Sequence, residues 1–405
     1  EEVKRRLAAD PRYLQNILKY WFTDNIHRAL VTVYPDAQYE KRLEDQLAAR
    51  IHLFEAGLTD ARRAELLAAQ ESFFARQKET DSPELLERIP HISRKDLPVV
   101  ADRIETEIRN AGSIPVFLHE QPTNGIAYAD FAIPVDVLPP EDYPLLPFFS
   151  SILSGMGLES LSWVELSALS ARVTGGLGSI LFSSSAVPGA VLPAELGSNN
   201  VGRDFMIIRV KMLGELIPEA LSLVFRLLEN ADFSDRRRLA DLLNEYRNDL
   251  DSSLAPAGNQ YAISRAAAHT RRSKAVDEIW NGLSQVQYVR DLAGRMKDDG
   301  FVTGLIERLD GIRNTLRSAG LVINLTGTAP LLESMHALIT ARGSSYGPPA
   351  APDAAADERF FALVEKEPRR FDPDSASVEL ISAAMQVGFA AAVLRRGVRF
   401  VQLPT

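Results

Sequence analysis

The sequence predicts an α+β protein: a two-layer domain of helices on a sheet, preceded by a long antiparallel helical hairpin. Three observations carry this. Between Tyr39 and Ser82, apolar residues recur at helical spacing in two runs separated by Gly57. Between Ile114 and Met212, short apolar runs of strand type come in pairs around helical stretches. From Glu215 to Ser318 the pattern is helical throughout, and a short apolar strand, Leu321 to Leu325, returns after it.

Taken in order, Val3 to Phe22 reads as helix, with Leu7, Leu14, Ile17, Leu18 and Trp21 as its apolar stripe. Pro11 opens the second part of that helix and Asp10 caps it. His27 to Pro35 reads as a strand ended by proline. One helix and one strand cannot bury both their faces, so this piece is expected to dock on a partner upstream. In the first arm of the hairpin, Tyr39, Leu43, Leu47, Ile51 and Phe54 share a face, with Glu40, Lys41, Arg42, Glu44 and Asp45 opposite. Gly57 stops this arm, and Thr59-Asp60 offer cap oxygens to the next. Leu66, Ala69, Phe73 and Phe74 stripe the second arm, which Asp81-Ser82-Pro83 ends. Periodicity alone leaves an ordinary helix pair and a hinge between two halves of a larger protein both open.

A polar segment, His91 to Pro98, leads into the main domain. Ile114–Leu118 and Gly125–Ile133 read as strands joined by a turn containing Pro122, Asn124 and Gly125. Tyr143–Leu153 and Trp163–Arg172 read as helices, Gly178–Val187 and Phe205–Met212 as strands, and Ala329–Ala341 as a final helix. From Arg342 to Asp374, Gly, Ser, Pro and Ala dominate, the composition of a linker. Ser377 to Leu394 is strand-like and reads as the opening of a further domain.

Composition bounds the function. At 405 residues the chain has room for two or three domains, and 46% apolar with 24% charged residues is ordinary for a globular protein. A net charge of -9 argues against nucleic acid as a partner, because phosphate binding needs clustered Lys and Arg. With no cysteine there is neither a disulfide nor a thiolate metal site. No run of eighteen apolar residues suggests a membrane partner. The start at Glu1-Glu2-Val3, without Met, leads us to expect a fragment or a processed product.

Several stretches together resemble a known family. They are Asn124-Gly125-Ile126-Ala127-Tyr128, Trp163-Val164-Glu165-Leu166-Ser167, Thr174-Gly175-Gly176-Leu177 and Leu239 to Asp249 with its Tyr246-Arg247. Arg265-Ala266-Ala267-Ala268-His269 and Trp280-Asn281-Gly282-Leu283-Ser284 complete the set. In this order and spacing they resemble the presequence-protease branch of the pitrilysin/insulinase-type, or inverzincin, zinc metallopeptidases. The resemblance implies a two-layer α/β sandwich domain of that type behind a hairpin linker. It implies this map: 1–35, the end of a preceding α/β domain; 36–87, the hairpin linker; 88–346, a non-catalytic α/β domain; 347–375, a linker; 376–405, the incomplete start of a fourth α/β domain.

It further implies a role as part of a zinc metalloendopeptidase that degrades unstructured peptides. Zinc would be bound by the N-terminal catalytic half, at a helical H-x-x-E-H, with no cofactor in this chain. That half and the C-terminal remainder would be partners, with unfolded peptides as substrates. A bacterial-type cytoplasm is the expected compartment, an organellar matrix the alternative. The metal pair needs two imidazoles one helical turn apart. The six histidines here, His27, His52, His91, His119, His269 and His336, include no two within four residues. The place aligned with the motif reads Leu146-Pro147-Phe148-Phe149-Ser150.

No catalytic or metal-binding residue is therefore expected. Tyr261, Arg265 and His269 fall on one polar helix face. They read as a satisfied or solvated face, or as candidate chamber-lining residues that meet substrate backbone. Thr174 to Ser179 lacks the lysine of a phosphate loop and reads as a tight helix-to-strand turn that uses glycine's freedom. Ser183-Ser184-Ser185 has no His and Asp in a recognisable order. Arg236-Arg237-Arg238 and Arg271-Arg272 read as solvated helix starts. Arg342 and Tyr346 resemble an Arg and Tyr that the family sends toward substrate, but stand in the wrong order and read as linker. The rivals are a non-catalytic structural or interaction subunit of the same fold, and an unrelated enzyme acting through Tyr261, Arg265 and His269.

Overall fold

The computed structural model describes residues 2–90, 92–97, 104–185, 202–268, 270–342, 346–351, 360, 363–364, 377–382, 385–393 and 400–403. They fall into two compact units, Glu1–Ala101 and Asp102–Thr405.

The first unit is helical. α1 (Glu2–Ala9) and α2 (Tyr13–Leu18) continue into a π-type turn, Lys19–Thr23. The expected cap is corrected: α2 begins at Tyr13 with Arg12 at its cap position and no side-chain cap, so Pro11 does not open it. The Asp10 carboxylate instead accepts from the Arg12 backbone N–H at 2.9 Å in the turn between the helices. His27 to Pro35 is not a strand. An isolated extended segment has nothing to satisfy its backbone, and no described strand pairs with it. α3 (Tyr39–Ala56) and α4 (Asp60–Lys78) follow, and Thr59 caps α4 by accepting from the Arg62 N–H at 3.3 Å. Ser82-Pro83 begins a short helix, α5 (Pro83–Leu86), with Ser82 as its cap. No described residue of this unit is buried, and the stripe side chains Leu47, Phe54 and Phe73 are 55%, 59% and 56% exposed.

The second unit is built on a six-stranded mixed sheet. Its strands are β1 (Glu107–Ala111), β2 (Ile114–Glu120), β3 (Ile126–Pro134), β5 (Gly176–Ser183), β6 (Asp204–Leu213) and β8 (Val322–Gly327). Two further short strands, β4 (Gly157–Leu158) and β7 (Ala231–Asp232), pair with each other. The order is β1-β2-β8-β3-β6-β5, antiparallel except for the β2–β8 pair. The returning strand β8 thus inserts between β2 and β3. The turn between β2 and β3 places both Asn124 and Gly125 at positive φ, 51° and 82°, the residues that tolerate it.

Around the sheet run α6 (Leu146–Ile152), α7 (Trp163–Val173), α8 (Ile217–Asn230), α9 (Arg236–Ser253) and α10 (Gly258–Ala267). α11 (Arg272–Asn281), α12 (Leu283–Gly294), α13 (Asp299–Ser318) and α14 (Ala329–Arg342) follow. The helix expected over Tyr143–Leu153 is split into a 3-10 turn, Pro140–Leu145, and α6. Pro144 and Pro147 lack the N–H that a continuous helix would need. α7 opens on a reciprocal cap between Ser162 and Glu165.

Strand periodicity decides which sheet face is covered. Ala127, Ala129, Phe131 and Ile133 of β3, and Met206, Ile208, Val210 and Met212 of β6, are buried at every second position. They join Phe148 of α6, Phe225 of α8 and Met335 of α14 in one core. The intervening positions face the other way: Tyr128, Asp130, Arg209 and Lys211 are polar and exposed or half-buried, whereas Ala132 and Ile207 are half-buried and Pro134 and Phe205, at one end of the pair, are buried.

Two expectations need correction here. Gly175 and Gly176 are not at positive φ, so the α7–β5 turn does not use glycine's conformational freedom. The linker expected over 347–375 is docked where it is described. Tyr346 is 5% exposed, Leu321 N–H donates to the Gly347 carbonyl at 3.3 Å, and Ala350 N–H donates to the Ala319 carbonyl at 2.8 Å. Phe360 and Val364 are buried in the same core. β9 (Ser377–Ser382), β10 (Met385–Val393) and β11 (Phe400–Leu403) make a separate antiparallel sheet, where the sequence reading had one strand-like stretch. No helix among the described residues is long and apolar enough to cross a membrane.

Candidate functional site

The face of the six-stranded sheet that is open among the described residues is the candidate site. Its composition follows from alternation: positions between the buried residues of β3, β6 and β8 include Tyr128 and Asp130, Arg209 and Lys211, Asn324 and Thr326. Pairing assembles them into rows. In one row Thr326, Tyr128, Lys211 and Gly176 stand side by side on β8, β3, β6 and β5. In the next, Asn324, Asp130, Arg209 and Gly178 do the same. Together the two rows line a groove of about 570 Å³, within the usual range for ligand pockets.

Glycines at the β5 end leave the groove unfilled, and Ile180 and Phe182 of the same strand are 42% and 50% exposed beside it. Arg209 Nε lies 3.2 Å from Asp130 Oδ1. The face can therefore offer charge, hydrogen-bonding groups and aromatic surface to an extended polar ligand. Sequence reasoning did not single out Asp130, Arg209, Lys211, Asn324 or Thr326. The available signal was local to the end of β6, where Arg209 and Lys211 interleave with Ile208, Val210 and Met212.

The residues that the sequence did single out lie elsewhere. Tyr261 and Arg265 are on α10 and only 6% and 5% exposed. Tyr261 exchanges a hydroxyl contact with Ser253 at 2.6 Å. Arg265 reaches the fully buried Glu278 at 3.2 Å and donates to the Ser284 hydroxyl at 3.1 Å. Burial pushes the Glu278 carboxyl upward, and the Arg265 charge works against that shift. Both side chains thus serve an internal network rather than an open surface. His269 lies outside the described residues.

The serine run is also structural. Ser183 donates to Asp204 at 2.6 Å, Ser184 to the Arg203 carbonyl at 3.0 Å and Ser185 to the Ser273 hydroxyl at 2.7 Å, with no imidazole among these partners. Asp204 is fully buried, accepts from the Tyr143 hydroxyl at 2.9 Å and is ion-paired to Arg272. Arg272 is therefore not a solvated helix start, because a carboxylate taken from water needs a cation beside it. A second buried pair, Arg203 with Asp136 at 2.5 Å, lies next in sequence.

Arg238 likewise turns inward. It stacks over Trp163 at 4.2 Å and donates to the Gly155 carbonyl at 3.0 Å. Arg342 and Tyr346 converge on Glu229, at 3.2 and 3.0 Å, which makes them a clasp on α8 rather than linker. The aligned place of the zinc motif contributes Leu146, Phe148 and Phe149 to the core. These side chains offer no donor atom to a metal, so the residues do not fit zinc there.

Comparison with known proteins bears on the whole chain. The family described as Peptidase M16 subfamily C associated matches residues 33–292. Presequence protease 1, chloroplastic/mitochondrial, of Arabidopsis thaliana is 26% identical over 314 residues, which cover 77% of this chain and 28% of that protein. Presequence protease, mitochondrial, of Yarrowia lipolytica is 27% identical over 312 residues, 77% of this chain and 30% of that one. The Danio rerio protein of the same name is 24% identical over 390 residues, 95% of this chain and 34% of its own length. The chain thus spans about a third or less of these relatives. A solved structure described as a conserved protein from Enterococcus faecalis V583 gives a weak likeness, with a TM-score of 0.43 at 8% identity over 62% of this chain and 54% of that one. With most of its length matched, from a point before α3 to within α12, and presequence proteases among its relatives, this chain belongs to that peptidase-associated family.

Proposed function

We propose that this chain supplies the hinge and the zinc-free wall of a peptide chamber in a zinc-dependent metalloendopeptidase that degrades unstructured peptides. The observation that carries this reading is the open sheet face. One side of the sheet is sealed by helices, while the other presents a groove lined by Tyr128, Asp130, Arg209 and Lys211. A sheet face left uncovered in an antiparallel-rich sheet is expected to be polar and to meet either solvent or a partner. The relatives' names support a peptide as that partner.

In this reading the catalytic zinc and its activated water belong to an N-terminal half of the same polypeptide, and this chain contributes no ligand to it. α3 and α4 form the antiparallel hinge, and Asp102–Thr405 opens with a sandwich domain of the pitrilysin/insulinase type. The described part of residues 347–375 is counted with that domain rather than as linker. Tyr261 and Arg265 hold the wall from inside without touching peptide. A cytoplasmic or organellar-matrix compartment belongs to the same proposal.

The test is a peptidase assay with an internally quenched fluorogenic peptide on this chain alone, with and without added zinc. No turnover is expected in either condition. Zinc-dependent cleavage by the isolated chain would overturn the reading.

A further inference from the structure

Within the groove one cation lacks an ionic partner among the described residues. Arg209 is engaged by Asp130 at 3.2 Å. Lys211, one row away, has no ion pair among the described residues. Its stem runs close to the β5 backbone. A Cβ added at Gly176 would stand 3.0 Å from Lys211 Cε, and one at Gly175 would stand 3.5 Å from Lys211 Cγ. The lysine therefore lies along the two glycines, an apolar stem on backbone with its ammonium at the groove. Tyr128 stands beside it on β3, 40% exposed, with Thr326 beyond.

We propose that Lys211 is the anion-binding point of this groove and takes a carboxylate of an extended peptide, from its C-terminus or from an Asp or Glu side chain. The inference rests on the reading of the face as a peptide-contacting wall. The charge balance selects the occupant. Two cations and one acid make the groove positive in a chain whose net charge is -9, so the groove is a local positive island. A lysine ammonium is a point charge with three donors and accepts either carboxylate without a fixed fork geometry. Tyr128, paired with Lys211 across β3 and β6, offers apolar surface to the side chains that flank the anion.

The test measures fluorescence anisotropy with three labelled, unstructured peptides of one parent sequence lacking Asp and Glu. The first ends in a free carboxylate, the second is its C-terminal amide, and the third is that amide with one internal Glu. The chain is expected to bind the first or the third, or both, more tightly than the plain amide, and the pattern tells C-terminus from side chain. Lys211→Met should lower affinity for the favoured peptide about threefold, as for an exposed ion pair, and abolish the preference. Lys211→Arg should keep it, and Asp130→Asn should strengthen it. Added salt should shrink the preference. Equal binding of the three peptides by the parent chain, or unchanged binding by Lys211→Met, overturns the inference and leaves the wall reading standing. A parent chain that binds none of the peptides overturns the wall reading and the inference with it.

Discussion

At the scale of single residues, the buried charges carry the clearest consequences. Glu278 is fully buried, and Arg265 and Ser284 are its partners. Removing one member of a buried pair leaves the other unpaired in a poor solvent for charge, so Glu278→Ala is expected to cost about 3–5 kcal/mol in urea unfolding. Replacing both together, Arg265→Met with Glu278→Met, should cost less than either single change, because no bare charge remains. The pH dependence has a defined sign. Burial raises the folded-state pKa of Glu278 above its ordinary value of 4.5, so the folded chain binds that proton more tightly than the unfolded chain. Stability from this group is greatest below 4.5 and falls as pH rises to the elevated folded value. Asp204 and Asp310, also raised by burial, act in the same direction. Unfolding free energy measured across that window should therefore fall more shallowly in Glu278→Gln than in the parent. An unchanged slope would remove Glu278 from the account.

At the scale of elements, local signals were legible where backbone chemistry is local. The long helices α3 and α4 follow from three-and-four spacing and Thr59, and the β2–β3 turn follows from Asn124-Gly125. What depends on distant partners was not legible. Glu107-Ile108-Arg109-Asn110 has no clean alternation, and β1 exists because β2 pairs with it. His27 to Pro35 has the composition of a strand but no neighbour. Arg272 reads as surface because nothing in sequence announces the buried Asp204 opposite it. The docked segment from Tyr346 to Ala350 was hidden by its Gly and Pro content, and Gly320 is the device that admits it. Gly320 sits at φ +81°, and a Cβ there would stand 2.1 Å from the Pro348 carbonyl oxygen. Gly320→Ala combines a strained backbone with a displaced neighbour and is expected to cost about 1–3 kcal/mol. Chymotrypsin should then cut at the otherwise buried Tyr346 faster than in the parent. Equal cleavage rates would show that the segment is held by something other than this contact.

At the scale of the whole molecule, the two units differ in kind. Asp102–Thr405 contains a contiguous core from Ala111 of β1 to Val364, with Trp280, Phe131 and Phe225 fully buried. Glu1–Ala101 has five helices and no buried residue among those described, although Leu43, Ile51, Phe54 and Phe74 line up on its two long helices. A helix draws most of its stability from packing an apolar face, and isolated helices of this length are marginal in water. On the proposed hinge reading, this unit takes its stability from surfaces outside itself. Produced separately, residues 1–101 should show weak helical circular dichroism that declines gradually with urea. Residues 102–405 should unfold in one sharp transition with a slope typical of a packed domain. A cooperative transition in the separate 1–101 piece would mean that these helices find a core of their own, and the hinge role would lose its physical basis.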